Sequence, residues 1–98
     1  MIKHVVMMKF ADPTNAPEAK ARLEALPAQI PELLTLWVGL DVVRSEVSQD
    51  LVLISTHHSV ETLKAYQEHP VHQEFGQWVR PLLTARVAVD ALEADTTV

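Results

Sequence analysis

The sequence predicts an α+β fold in which strands and helices follow the order β-α-β-β-α-α-β, with one four-stranded antiparallel sheet. Three observations support this prediction. Four short segments are apolar with the alternation typical of strands, apolar residues recur elsewhere at helical spacing, and turn or capping residues separate the two kinds of segment. The length of 98 residues fits one domain, and the 48% hydrophobic content is ample for a core. We expect residues 1–92 to form that domain and residues 93–98 a frayed tail.

Composition excludes several classes of function. A formal net charge of −5, with eight scattered Lys and Arg residues, disfavours nucleic acid or an anionic membrane as a partner. The chain has no cysteine, so it has neither disulfides nor thiolate chemistry. The apolar run at the N-terminus is too short to span a bilayer and lacks a cleavage site, so the expected location is the cytoplasm.

The first strand and the first helix can be read from residues 2–26. The even positions of residues 2–10 form a nearly apolar face that His4 interrupts. A helix is then predicted with Asn15 as its N-cap and Glu18 three residues on, which is a capping pattern. Proline at position 27 predicts that this helix ends near Leu26.

The next two strands are predicted over residues 33–43 and 50–58. The first of these is rich in β-branched and aromatic residues, and Gly39 within it predicts a bulge. The second is apolar at both odd and even positions between residues 51 and 54, which indicates that both of its faces are covered. A polar connection of hairpin size joins the two strands.

Two helices and a last strand complete the pattern. Ser59 is a good N-cap for a short helix, and Pro70 interrupts it so that a second helix starts there. Pro81 ends the second helix, and residues 84–92 alternate as the fourth strand. The order predicts a ferredoxin-like protomer with its helices on one face of the sheet. The apolar second face predicts a homodimer in which a partner sheet covers it.

The stretch YQEHPVHQEFG carries the candidate chemistry. Proline is favoured at the first helical position, so Pro70 places His69 near the N-cap and His72 in the first turn. The positive end of the helix dipole and burial both lower the pKa of a histidine there, which predicts a neutral His72 able to accept a proton. Tyr66 precedes the helix break and His4 lies on the core face of the first strand, so the three side chains are predicted to line one pocket.

Structural roles remain open for the same residues. His72 could be a cap or a surface residue, His4 a core imidazole satisfied by a hydrogen bond, and Tyr66 a cover for the edge of the core. His69 is expected to be structural or exposed.

Metal binding and other cofactor chemistry are disfavoured. N-cap geometry turns His69 away from His72, and no zinc-binding spacing such as H-E-x-x-H occurs. His57 and His58 are expected to point to opposite sheet faces, which makes a poor chelate. There is neither a glycine-rich phosphate loop nor a serine nucleophile elbow. The sequence therefore predicts no metal and no cofactor.

The segments MIKHVVMMKF, LWVGLD, DLVLISTHHSVETLKAYQEHPVHQEFGQWVRPLL and ARVAVDAL resemble the stress-responsive dimeric α/β-barrel (Dabb) domain family. The resemblance implies a ferredoxin-like protomer whose sheet pairs with another to form a dimeric α/β barrel. One plant branch contains polyketide cyclases of the olivetolic acid type, which carry out an aldol condensation without a cofactor. In that branch the tyrosine and second histidine of the Y-x-x-H-P-x-H run act at the reacting centre. They match Tyr66 and His72, and the family's strand histidine matches His4.

The leading hypothesis is a homodimer that binds a small, largely apolar carbonyl compound between sheet and helices. As an enzyme, it would use His72 to remove a proton α to the carbonyl, Tyr66 to orient or polarise the oxygen, and His4 as a supporting hydrogen-bond partner, in lyase, cyclase or isomerase chemistry. The first alternative is a non-catalytic stress-response or ligand-binding protein. The second is a cofactor-independent monooxygenase of related fold.

Overall fold

The computed structural model describes residues 1–93, and its centre is one antiparallel sheet. The four strands are β1 (Ile2–Phe10), β2 (Thr35–Leu40), β3 (Leu51–His57) and β4 (Leu83–Leu92). They lie in the order β2-β3-β1-β4, and each neighbouring pair is antiparallel. The predicted order of elements and the ferredoxin-like fold are confirmed.

Three helices cover one face of this sheet. They are α1 (Ala16–Glu24), α2 (Val60–Glu68) and α3 (Pro70–Val79), with short 3₁₀ turns at Pro13–Asn15 and Arg80–Leu82. The core lies between helices and sheet, because the even positions of β1 and the odd positions of β3 are buried. Within residues 1–93 no helix is both long enough and apolar enough to cross a membrane.

Two local features in the first half of the chain differ from the prediction. Asn15 occupies the predicted N-cap position of α1, but the capping hydrogen bond lies one turn earlier, where the Asp12 carboxylate accepts from the Thr14 amide at 3.0 Å. Asn15 has helical backbone angles and makes no side-chain cap. An extra 3₁₀ turn therefore precedes α1, and the proline at position 13 favours it by fixing its own φ.

The predicted bulge at Gly39 is also absent. The pairing of β2 with β3 continues without a shift from Val38 through Gly39 to Leu40. The glycine serves packing instead, since a Cβ at Gly39 would lie 2.5 Å from the Trp37 ring. The six-carbon ring of Trp37 thus lies over the glycine on the sheet face opposite the helices.

That opposite face, which we call the open face, is apolar and uncovered. It is formed by the odd positions of β1 and the residues that pair beside them, including Val5, Met7, Trp37, Ile54, Val87 and Val89. Trp37 is 58% exposed and Val89 63% exposed. Large apolar side chains grouped at this exposure are typical of an interaction surface.

The last strand reaches the end of the described chain. The amide of Glu93 donates a hydrogen bond to the carbonyl of Met1 at 2.8 Å, which extends the pairing of β4 with the N-terminus. The predicted tail, residues 93–98, otherwise lies outside the described residues.

Candidate functional site

The junction between α2 and α3 positions the candidate residues. His69 ends α2 and caps α3 with an extended backbone, and its Nδ1 accepts a hydrogen bond from the Val71 amide at 3.1 Å. Pro70 occupies the first helical position, as predicted. The His69 ring thus serves as the N-cap of α3, and His72 lies in the first turn of that helix.

The break between the helices brings Tyr66 and His72 into contact. Their ring centroids are 4.5 Å apart, and the ring planes meet at 67°, an edge-to-face arrangement. His4 joins them from β1, with its ring centroid 6.5 Å from that of Tyr66. His4 is only 2% exposed and Tyr66 is fully buried. The structure brings the three predicted residues into one cluster between sheet and helices.

His4 is oriented by a carboxylate on the neighbouring strand. Asp90 of β4 lies directly opposite His4 in the register, and its Oδ1 is hydrogen-bonded to Nδ1 of His4. A carboxylate accepts and does not donate, so Nδ1 carries a proton. In the neutral ring the other nitrogen, Nε2, is then an acceptor. The pair resembles the histidine–carboxylate arrangement that holds a catalytic imidazole in one tautomer.

His57 belongs to the same cluster, which the sequence prediction missed. Its ring centroid lies 4.9 Å from that of Tyr66 and 6.2 Å from that of His4. Its Nε2 is hydrogen-bonded to Ser55 Oγ at 2.8 Å, and both residues are fully buried. The signal was present in the alternation of β3, because an apolar face at residues 51 and 53 continues to residue 57. His58 follows the end of β3 and is exposed, whereas His57 is buried, so the two rings lie in different environments.

Burial and positive charge keep His72 neutral. Burial lowers its pKa to about 4, with further lowering by the Arg86 guanidinium, the His4 ring and Arg80, while the Gln67 carbonyl acts in the opposite direction. Burial also raises the pKa of Tyr66 to about 12, against a smaller opposing effect of Arg86. At pH 7 the site therefore holds a neutral imidazole and a neutral phenol.

A cavity of about 520 Å³ opens beside the cluster, within the size range of small-molecule sites. His4 and His72 lie on its wall, together with apolar residues such as Met8, Leu53 and Phe75. Arg80 and Arg86 lie at the same wall. The cavity can thus take a partly apolar compound with one end among polar groups.

Tyr66 stands behind this wall rather than on it. Its side chain is fully buried, and its hydroxyl has no hydrogen-bond partner among residues 1–93. A buried hydroxyl without a partner costs about 1–3 kcal/mol, so the free site holds an unused hydrogen-bond donor.

Side chains that could bind a metal are not grouped in the described part of the chain. Among residues 1–93 there is no set of three or more His, Asp or Glu side chains with that geometry.

Fold and site together define a small ferredoxin-like protein with a pocket between sheet and helices, which His4 and His72 line and Tyr66 backs. Its family follows from comparison: residues 2–92 match the model of the stress responsive A/B barrel domain, and the chain belongs to this Dabb family. The predicted membership is confirmed.

Relatives of known structure share the fold along nearly the whole chain. A dimeric ferredoxin-like protein of unknown function from Thermobifida fusca is 29% identical, with a TM-score of 0.81 over 92% of this chain and 88% of that one. A dimeric protein of the same fold from Bacteroides fragilis is 28% identical, with a TM-score of 0.82 over 92% and 93%. A hydroxynitrile lyase from Passiflora edulis is 19% identical, with a TM-score of 0.80 over 98% and 95%, and shows the shared fold alone.

Proposed function

We propose that the protein is a homodimer that binds a small carbonyl compound in the 520 Å³ cavity and removes a proton from the carbon next to the carbonyl, without a cofactor. The proposal rests on the environment of His72. This histidine lies on the cavity wall in its neutral form, beside His4, whose ring is oriented by a carboxylate.

His72 is the proposed general base. In the step, the C–H bond breaks, the proton passes to the free ring nitrogen of His72, and the electron pair moves to the carbonyl oxygen as an enolate. A pKa near 4 makes His72 a weak base in the free site. The positive charge of Arg86 that weakens it also stabilises the negative charge of the enolate, so the same group assists the step as it proceeds.

Tyr66 and His4 have supporting roles in this proposal. The Tyr66 phenol stays protonated at pH 7 and donates to the carbonyl oxygen once the ligand reaches past the His72 ring. His4 presents one ring nitrogen as an acceptor, because Asp90 holds the proton on the other. The hydroxynitrile lyase of the same fold offers a precedent for lyase chemistry on this scaffold.

The open face is the proposed dimer interface. Trp37 on β2 and Val87 and Val89 on β4 are exposed at the two edges of this face. A second sheet packed across the face would bury them. The Thermobifida and Bacteroides proteins, at 28–29% identity, are both dimeric. A second copy of this chain is therefore the proposed occupant.

Ligand binding without turnover is a second candidate, and one observation favours it. The Tyr66 side chain is fully buried and is not part of the cavity wall, so it contributes to catalysis only if the bound ligand reaches behind that wall.

Deuterium exchange separates the two candidates. The aryl ketones 3-benzoylpropanoate and its methyl ester each carry a CH₂ next to the carbonyl, and its exchange in D₂O can be followed by proton NMR. A general base contributes about 10²–10⁴-fold, so exchange should be accelerated by the protein and should fall by about 100-fold or more in His72→Gln.

The control is His58→Gln, which removes an exposed histidine that does not line the cavity. It should exchange at the rate of the unmodified protein. Shifts of the His72 and His4 signals on ligand addition without any accelerated exchange would favour binding alone. Exchange that survives His72→Gln unchanged would exclude His72 as the base.

A further inference from the structure

The charge of the cavity wall is opposite to the charge of the chain. The protein has 13 acidic and eight basic residues outside histidine, and a net charge of −5. Yet the charged side chains on this wall, within residues 1–93, are Arg80 and Arg86, and no Asp or Glu lines it. A cationic wall in an acidic protein favours an anionic ligand over a neutral one.

Neither arginine is neutralised by a neighbour. Among residues 1–93, Arg80 and Arg86 form no ion pair, whereas Arg22 and Arg44 each pair with a carboxylate. Their positive charges act on the site instead, since both lower the pKa of His72. Two guanidinium groups that face a cavity without a counterion have their hydrogen-bond donors free for a ligand.

A glycine makes room for one of them. An ideal Cβ at Gly76 of α3 would lie 2.9 Å from Nη2 of Arg80, so the guanidinium lies over the helix at this residue. Gly76 and Arg80 both line the cavity. Only the absence of a side chain at position 76 lets Arg80 take this position beside the site.

We propose that the cavity selects oxo acids, with the carboxylate of the ligand held by Arg80 and Arg86 and its carbonyl directed toward His72. This rests on the proposed function and adds the substrate class. Guanidinium groups suit the planar carboxylate because they bind it through paired hydrogen bonds. Gln73 and Gln77 of α3, also on the wall, add amide donors and acceptors beside the arginines.

The test compares an anion with its neutral ester. Dissociation constants are measured for 3-benzoylpropanoate and methyl 3-benzoylpropanoate by NMR titration at low salt. Hydrogen bonds to charged groups are strong enough to give the acid an advantage of about tenfold or more in Kd. Added NaCl should weaken binding of the acid and leave the ester unchanged.

The double variant Arg80→Gln/Arg86→Gln should remove this advantage. Both side chains are exposed, so the fold should persist, and retained binding of the ester reports a folded pocket. Lys64→Gln on α2 is the matched control, because it removes one positive charge away from the cavity and should keep the advantage.

The outcomes separate this inference from the proposed function. Equal affinity for acid and ester in the unmodified protein would overturn the oxo-acid inference. The proposed binding of a carbonyl compound would still hold in that case. An advantage that persists in the double variant would overturn the assignment to the arginines. Binding of neither compound would overturn both proposals.

Discussion

His72 shows how one residue's environment sets its chemistry. Burial lowers the pKa of His72 because it removes water from the imidazolium. Arg86 on β4, His4 on β1 and Arg80 in the 3₁₀ turn after α3 lower that pKa further. In the unfolded chain the pKa is near 6.5, so the unfolded state binds the proton first as the pH falls. The neutral form of His72 therefore stabilises the fold above pH 6.5, and that contribution is lost as pH falls from 6.5 toward 4. The lowered pKa of His57, caused first by burial, acts in the same direction.

The first prediction concerns the titration of His72. Its NMR chemical shifts should change with a midpoint near pH 4, and Arg86→Gln should raise that midpoint because it removes a facing positive charge. Lys64→Gln should leave it in place. A midpoint near 6.5 in the unmodified protein would show that His72 is neither buried nor opposed by the arginines.

The second prediction uses the unpartnered hydroxyl of Tyr66. Tyr66→Phe removes a buried group that has no hydrogen bond within the described chain, so the free energy of unfolding should stay constant or rise by up to about 1 kcal/mol. Exchange of the ketone should nevertheless slow, since the donor to the enolate is lost. Urea denaturation measures the free energy of unfolding, and the deuterium-exchange assay measures the rate of ketone exchange. A loss of stability above about 1 kcal/mol would mean that the hydroxyl has a partner in the free protein.

At the scale of elements, the α2–α3 break and the start of β1 place the site. Ser59 caps α2 in a reciprocal arrangement with Thr62, and His69 with Pro70 ends that helix and starts the next. These features follow from local rules on capping and proline, which is why the sequence predicted them. The position of Asp90 depends instead on the register between β1 and β4, which local patterns do not encode. The alternation of β3 was enough to place His57 on the core face, but its contacts with His4 and Tyr66 depend on tertiary packing.

The third prediction concerns α3 and separates stability from selectivity. Gly76→Ala should stabilise the helix by up to about 1 kcal/mol, because alanine has the higher helix propensity. The added Cβ would lie 2.9 Å from the Arg80 guanidinium and should push that flexible group off the cavity wall. The expected result is a higher urea midpoint together with a smaller preference for the acid over the ester. An unchanged preference would show that Arg80 does not hold the carboxylate.

At the scale of the whole molecule, the sheet has two different faces. The helix face could be predicted from alternation alone, because the even positions of β1 and the odd positions of β3 are apolar except for His4, Ser55 and His57. The apolar character of the open face was also predicted. The position of the Trp37 ring over Gly39 was not predicted. Ring placement depends on packing with the neighbouring side chains, and a glycine in a strand indicates either a bulge or a close approach.

The fourth prediction concerns assembly through the open face. Trp37→Glu places a charge on the edge strand β2 of this face and should weaken the dimer by about 2 kcal/mol or more, roughly 30-fold in Kd. Light scattering after size exclusion should then report the monomer mass at concentrations where the unmodified protein is dimeric. Val60→Glu, at a 62% exposed position on the helix side, is the control and should leave the dimer intact. An unchanged mass for Trp37→Glu would place the interface elsewhere.

The rate of ketone exchange as a function of pH tests the central claim most directly. We expect the protein to accelerate deuterium uptake into 3-benzoylpropanoate at a rate that is level near neutral pH and falls as His72 becomes protonated at lower pH. His72→Gln should abolish the acceleration and the pH dependence together, while His58→Gln keeps both. Acceleration that is the same in His72→Gln, or absent from the unmodified protein, would contradict proton abstraction by His72.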